Sequence, residues 1–170
     1  KTGNAENVKD YNILDKIVIP AGQTSKSVGL TVADDLLNEI SETIILTATC
    51  DDTCALGNPS SHTVTIADNE AEPTVTLSTG LTSINESGTA AATTATVKVE
   101  LDAVSGKNVT VDLKTSGLAL LTNGIAPNTQ DYTLNTTIVI PAGNLSTTVV
   151  LVAIDDPQDE PDETVIIDID

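Results

Sequence analysis

The chain repeats part of its own sequence after 121 positions, and this repetition limits the folds that it can adopt. Asp10-Tyr11 recurs as Asp131-Tyr132, and the run Ile17-Val18-Ile19-Pro20-Ala21-Gly22 recurs without change at 138–143. Between Asp10 and Ile45, 17 of 36 positions are identical in the later copy without any gap. Such self-similarity at one fixed spacing indicates two copies of a single structural module.

Neither copy is complete, and the sequence therefore predicts two partial domains. Residues 1–70 contain the later part of one repeat, and residues 71–170 contain the earlier part of the next. The join lies at 67–73, an acidic, turn-like stretch that ends in Pro73. We expect a parent protein that is a tandem array of units of about 120 residues. Three further residues of the first copy match the second at the same spacing: Gly3, Ala5 and Asn7 match Gly124, Ala126 and Asn128.

The composition favours β-sheet structure. Hydrophobic residues make up 39% of the 170 residues, but Phe, Trp and Met are absent and Tyr11 and Tyr132 are the only aromatic residues. A core of Val, Ile, Leu and Ala, with abundant Thr, is typical of strands. Alternating apolar residues between turn signals predict strands near 16–19, 27–33, 43–49, 62–67, 74–78, 91–101, 108–114, 137–140, 147–154 and 164–169. This number of strands per repeat predicts tandem immunoglobulin-like Greek-key β-sandwiches, an all-β fold.

The charge of the chain excludes several classes of partner. Asp and Glu total 25 against seven Lys and Arg, which gives a net charge of −18. Such a surface repels nucleic-acid backbones and anionic lipid head groups, so neither is expected as a partner. No apolar run approaches the roughly 18 residues of a membrane-spanning helix, so insertion of this segment into a membrane is not expected either.

Carboxylates recur at fixed spacing after the same strand in both copies. Asp155-Asp156 follow a predicted strand, and Glu160 and Glu163 come five and eight residues after Asp155. The first copy has the same spacing, with the acids Asp34, Asp35, Glu39 and Glu42. Two carboxylates about 4 Å apart repel by about 4 kcal/mol at an effective dielectric constant of 20. A bound divalent cation offsets that repulsion, and a set of oxygen ligands this large favours Ca²⁺ over Mg²⁺.

This combination of motifs resembles the Calx-β repeats, which are calcium-binding β-sandwich modules of sodium–calcium exchangers, integrin β4 and large bacterial surface proteins. The motifs are Asp-Tyr, then Ile-Pro-Ala-Gly, then Asp-Asp-x4-Glu-x2-Glu-Thr, and the resemblance covers essentially the whole chain. In the second copy it implies the calcium ligands Glu86, Asp131, Asp155, Asp156, Glu160 and Glu163. In the first copy it implies Asp10, Asp34, Asp35, Glu39, Glu42 and Asp68, together with Asn69 and Glu70.

The chain also departs from the family pattern in ways that bear on the ion sites. The stretch that closes the first copy is Asp-Asn-Glu rather than a run of Asp, which should weaken or remove one ion. The first copy lacks the early glutamate that Glu86 supplies in the second, and the second copy lacks the closing acids. Either calcium site is therefore expected to be incomplete.

Cys50 and Cys54 flank three residues in a loop between predicted strands. In a secreted chain a disulfide within this loop is expected, with free thiols as the alternative. The chain contains no nucleophile-elbow, phosphate-loop, zinc-protease or dinucleotide motif, so we do not expect an enzyme.

These observations predict a calcium-binding structural module that stiffens an extended adhesin or surface fibre outside the cell. Its partners would be calcium ions and the neighbouring repeats of the same chain. Two alternatives remain open. One is a self-assembling filament subunit in which copies exchange strands between incomplete repeats. The other is the calcium-sensor domain of a transporter.

Overall fold

The computed structural model of the protein describes residues 1–86, 93–119, 131–155 and 161–170. The described residues form strands and turns without a helix, which confirms the all-β prediction. The chain divides into two compact units, Lys1–Ala71 and Glu72–Asp170. No helix among these described residues is long and apolar enough to cross a membrane.

Twelve strands are present in the described residues. The first unit contains β1 (Thr2–Gly3), β2 (Tyr11–Ile13), β3 (Leu30–Val32), β4 (Glu42–Thr47) and β5 (Ser61–Ile66). The second unit contains β6 (Val75–Thr79), β7 (Thr94–Leu101), β8 (Val109–Gly117), β9 (Tyr132–Thr133), β10 (Thr137–Ile140), β11 (Ser146–Ala153) and β12 (Val165–Ile169).

Two antiparallel sheets form the second unit, in a sandwich-like arrangement. One sheet has the order β6-β7-β11-β9, and the other has the order β10-β8-β12. Alternate residues of β7, β8 and β10 point inward and form one hydrophobic cluster, because successive side chains of a strand face opposite sides of its sheet. The buried members of the cluster are Val99, Leu101, Val111, Leu113, Ile138 and Ile140. The immunoglobulin-like Greek-key connection remains a prediction.

The first unit also has two antiparallel sheets, but they are smaller. Its sheets are β1-β4-β5 and the hairpin β2-β3. Ile44 of β4 is fully buried and Tyr11 of β2 is almost so. Large apolar side chains elsewhere in this unit are exposed, so its core is much smaller than that of the second unit.

The two units share strand register at the repeated positions. Tyr11 lies opposite Val32, and Tyr132 lies opposite Ala153, the residue 121 positions after Val32. The carbonyl oxygen of Asp10 accepts a hydrogen bond from the Ala33 N–H at 2.9 Å. The Asp131 carbonyl accepts one from the Ile154 N–H at 2.8 Å, again 121 positions later. The repeated sequence therefore produces the same antiparallel strand pairing in both units, β2 with β3 and β9 with β11.

One strand prediction is wrong in an informative way. Residues 16–19 were expected to form a strand, but they form none, although the same Ile-Val-Ile run forms β10 in the second unit. In the second unit, Ile138 and Ile140 pair with Val111 and Val109 of β8. Among the described residues, the first unit has no strand that corresponds to this half of β8. The run at 17–19 is exposed because, among the described residues, it has no strand to pair with.

Other boundaries also differ from the prediction. The strand expected at 27–33 shortens to β3, and β7 begins at Thr94, while residues 91 and 92 lie outside the described ranges. The expected match of Gly3 to Gly124 is not the structural one. Gly3 lies opposite Ile44, and Gly117 lies opposite Val165, which follows Ile44 by 121 positions. Gly117 is thus the equivalent of Gly3; positions 124, 126 and 128 lie outside the described residues.

Candidate metal centre

Oxygen-bearing side chains of the first unit surround one concavity with a volume of about 70 Å³. This space is enough for an ion and one or two water molecules, since a cavity of roughly 10–15 Å³ holds a single water. All eight residues that the resemblance assigns to the first copy line it: Asp10, Asp34, Asp35, Glu39, Glu42, Asp68, Asn69 and Glu70.

Strand pairing explains why residues so distant in sequence meet at this place. Asp10 precedes β2 and Asp34 follows β3, and the antiparallel pairing of these strands puts both residues at the same end of the hairpin. Glu42 begins β4 and lies opposite Ile66, the last residue of β5. Asp68, two residues after the end of β5, therefore lies on the same side of the concavity as Glu42.

Asn38 joins the segment after β3 to the segment after β5 through its side chain. The sequence did not indicate it as a residue of the site. Its side chain is 5% exposed, and its Nδ2 donates to Oδ2 of Asp68 at 3.1 Å and to the carbonyl oxygen of Glu70 at 3.0 Å. The backbone N–H of Glu39 donates to Oδ1 of Asp68 at 3.0 Å. The repeat gives no signal for Asn38, because the residue 121 positions later is Asp159.

Two more hydrogen bonds hold the acids that follow β3. Nδ2 of Asn69 donates to Oδ1 of Asp34 at 3.2 Å, which ties the segment after β5 to the end of β3. Oδ1 of Asp35 accepts from the Leu37 N–H at 2.8 Å, within an exposed turn. The donors in these contacts are neutral, so they orient the carboxylates without cancelling their charge.

The electrostatics of the concavity reflect crowded negative charge. Burial raises the pKa of Glu42, and the neighbouring Asp10 raises it further through its charge and a side-chain hydrogen bond. Burial also raises the pKa of Glu70, and the charges of Asp68 and Asp34 add to this effect. Both shifts mean that the ionised carboxylates are destabilised where they lie. A cation held between them would relieve that cost.

We expect the first unit to lose stability in chelator as the pH rises from acidic to neutral. The folded unit holds the Glu42 and Glu70 protons more tightly than the unfolded chain does. Their stabilising contribution is therefore present at low pH and is lost as the pH rises through the raised pKa values. Denaturant unfolding followed by Tyr11 fluorescence, in a chain carrying Tyr132→Phe, measures this dependence.

The matched comparison for this pH prediction is the same measurement on Glu42→Gln. This variant removes the titrating group, so its unfolding free energy should fall less steeply over the same pH range. An equally steep fall in both proteins would assign the pH dependence to the overall charge of −18 rather than to the concavity.

The donor set fits Ca²⁺ in chemistry, because it consists of carboxylate and amide oxygens. Within the described ranges, however, the carboxylates do not come together in groups of three within 4.8 Å. The single such group of potential ligands found there is Cys50, Asp51 and Cys54. Its two sulfurs are joined in a disulfide, so that group is not a calcium site. An ion in the acidic concavity would have to draw the carboxylates closer.

The second unit is described only in part at the corresponding place. Asp131 and Asp155 lie at the same end of the paired strands β9 and β11, since the Asp131 carbonyl accepts from the Ile154 N–H. Glu163 lies two residues before β12, and Glu86 lies in an exposed segment after β6. Asp156 and Glu160 lie outside the described residues.

The disulfide between Cys50 and Cys54 closes a small loop in the connection from β4 to β5. Oδ1 of Asp51 accepts a hydrogen bond from the Thr53 N–H at 3.1 Å, and this bond fixes the turn within the loop. Disulfides persist mainly in oxidising compartments. The loop is exposed and lies outside the acidic concavity.

Comparison with known protein families finds none that matches the chain, and comparison with curated proteins finds no similar sequence. The resemblance to Calx-β repeats therefore stays a prediction from the motifs. What the structure defines is an all-β chain of two units, the first of which gathers acidic side chains around one concavity.

Proposed function

We propose that this chain is a calcium-binding structural module of an extended protein outside the cell. The observation that supports the proposal most is the concavity of the first unit, where eight oxygen-bearing side chains from four segments of the chain meet. The disulfide supports the extracellular setting, because such bonds are rare in reducing compartments.

Like charge held together is the physical basis for choosing a divalent cation. Asp10 and Glu42 interact directly, and so do Asp68 and Glu70. These contacts contribute to the raised pKa values of Glu42 and Glu70. Lys9 is the nearest cation to Asp10 in the described structure, but its Nζ is 3.9 Å away and its side chain is exposed. An exposed lysine at that distance neutralises little of the cluster.

The residues that would hold the ion connect the body of the first unit to the chain that leaves it. Glu42 begins β4, and Asp10 and Asp34 flank the paired strands β2 and β3. Asp68 and Glu70 lie shortly before Glu72, where the second unit begins. Binding at these residues would order the segment between the units. Stiffening of a tandem array by calcium is the expected consequence.

Calcium titration by calorimetry tests the proposal on the full chain. We expect saturable binding in millimolar or lower calcium, and at least about tenfold weaker binding at the first-unit site after Asp10→Asn with Glu42→Gln, which is about 1.4 kcal/mol. Asp52→Asn serves as the control, because it removes an exposed acid of the same unit outside the concavity.

Two results would contradict the proposal. One is the absence of calcium binding to the unaltered chain. The other is equal weakening by the control substitution, which would mean that calcium responds to net charge alone. Calcium at a hundredfold excess over its Kd should also raise the unfolding free energy of the first unit by about 2.7 kcal/mol, if the unfolded chain does not bind it.

A further inference from the structure

A loop closed by a disulfide connects β4 to β5 at the end of these paired strands that is remote from the acidic concavity. The pairing of β4 with β5 runs from Glu42, at the concavity, to Thr47. Ala48 continues it, since its N–H donates to the Ser60 carbonyl at 2.8 Å. Five residue steps along β4 separate its two ends by about 17 Å. The Cys50–Cys54 loop is therefore separate from the candidate calcium ligands.

Three potential metal ligands come together in this loop. The sulfur atoms of Cys50 and Cys54 and a carboxylate oxygen of Asp51 all lie within 4.8 Å of one another. Asp51 and Cys54 are exposed and Cys50 is half-buried, so dissolved thiols and ions can reach the group. The group does not include Asp52, although this acid follows Asp51 directly in the sequence.

Hydrogen bonds within the loop position Asp51 independently of the disulfide. Its Oδ1 accepts from the Thr53 hydroxyl and from the Thr53 N–H, the latter at 3.1 Å. Its carbonyl oxygen accepts from the Cys54 N–H at 3.3 Å. The Thr53 hydroxyl lowers the pKa of the Asp51 carboxyl, and the Thr53 N–H adds to this effect, so the carboxylate is ionised at neutral pH. None of these bonds requires the S–S bond, so the turn that gathers the ligands is retained when that bond opens.

The ligand types of this group suit a thiophilic metal ion once both sulfurs are thiolates. Three residues separate Cys50 from Cys54, which falls within the spacing of two to four residues that zinc sites use for ligand pairs. Thiolates select zinc and similar ions, whereas calcium requires oxygen ligands. Two thiolates, one carboxylate and one water molecule make up the four-coordinate shell that zinc prefers.

We propose that the Cys50–Cys54 loop becomes a site for Zn²⁺ or a similar thiophilic ion when a dithiol reductant opens its disulfide. A thiolate of the reductant attacks the sulfur of the exposed Cys54, forms a mixed disulfide and releases the Cys50 thiolate. The second sulfur of the reductant then displaces Cys54, and the reductant leaves as a cyclic disulfide. Two electrons and two protons thereby pass from the reductant to the two cysteines. Binding of the ion by both sulfurs releases these two protons.

The oxidation state of the loop therefore decides whether the ion binds. The disulfide form contains no thiolate, so the site is closed in an oxidising setting such as the one proposed above for this chain. It opens only where a dithiol reaches the protein. This inference rests on the ligands of the loop and does not depend on calcium.

Titration with Co²⁺, a spectroscopic substitute for Zn²⁺, tests the proposal on the full chain. The chain is reduced with dithiothreitol, freed of it by gel filtration without oxygen, and titrated in millimolar calcium. We expect thiolate-to-cobalt charge-transfer absorption that saturates at one ion per reduced chain. The oxidised chain should show no such absorption. Competition with Zn²⁺ then measures the affinity of the reduced loop for zinc.

Two substitutions of adjacent acids make the test specific for the three-ligand group. Asp51→Asn should weaken binding at least about tenfold, because loss of even an outer-shell partner of a metal costs roughly 10–100-fold in affinity. Asp52→Asn should leave the affinity unchanged, since it removes the same charge from the same loop but lies outside the group. Both residues are exposed, so neither substitution is expected to prevent folding.

Several results would overturn the proposal. They are a reduced chain without charge-transfer absorption, an oxidised chain that shows the same absorption, and one ion shared by two chains. Unchanged affinity of Asp51→Asn would also overturn it, as would equal weakening by Asp52→Asn, which would assign the binding to net charge. Because the absorption reports thiolate ligands alone, failure here is distinct from failure of the calcium titration.

Discussion

Replacing Ile140 with alanine should lower the unfolding free energy of the second unit by about 2–5 kcal/mol. Ile140 is 0% exposed and lies in the cluster where β10 meets β7 and β8. The substitution removes three carbon atoms from a packed interior, so it costs both apolar burial and an unfilled cavity. Denaturant unfolding followed by Tyr132 fluorescence measures the change, in a chain carrying Tyr11→Phe so that a single tyrosine reports.

The chain supplies its own control for this substitution. Ile19 occupies the same place in the repeated run Ile-Val-Ile-Pro-Ala-Gly, but it is 53% exposed. Ile19→Ala should therefore change the unfolding free energy of the first unit by no more than about 0.5 kcal/mol. Similar losses at both positions would contradict the structure, because they would require Ile19 to be packed as Ile140 is.

Replacing Gly117 with alanine should destabilise the second unit by at least about 2 kcal/mol. Gly117 has a φ of +119°, a region that residues with a side chain rarely adopt. A Cβ atom at this position would lie 2.1 Å from the carbonyl oxygen of Thr164. The backbone would have to move, which would disturb the pairing of β8 with β12. The same unfolding measurement, with Tyr132 as the probe, detects the loss.

Gly143→Ala is the matched control for this second substitution. Gly143 also has a positive φ, +79°, but no atom lies within 4 Å of the position that its Cβ would occupy. The expected loss is therefore only the cost of a left-handed conformation, about 1–2 kcal/mol. If Gly117→Ala were no more destabilising than Gly143→Ala, the close approach of β8 to Thr164 would be wrong.

Much of the second unit could be predicted from sequence because its strands have the neighbours that their patterns require. The strand predicted at 137–140 matches β10, and the inward positions of β7 and β8 follow from alternation. Periodicity reports which side chains a strand can bury, but not whether a partner is present. The run at 17–19 has the same pattern as β10 and lacks the strand that would pair with it, so the prediction failed there.

The repeat also determines which positions around the concavity could be expected from the sequence. The convergence of Asp10 with Asp34 follows from the antiparallel strand pairing that both copies share. Asn38 escaped notice because its position is not repeated. The Gly3 match failed because 13 residues separate Gly117 from Asp131 and only six separate Gly3 from Asp10. An ungapped comparison cannot detect that difference in loop length.

The two copies of Ile-Val-Ile-Pro-Ala-Gly give this protein an internal reference. The Ile-Val-Ile part of this hexapeptide lies within a ladder of hydrogen bonds in the second copy and outside any strand in the first. Solvent, temperature and covalent chemistry are identical for both. Any spectroscopic contrast between the two therefore isolates what a neighbouring strand adds to intrinsic preference, and intrinsic preference alone did not suffice here.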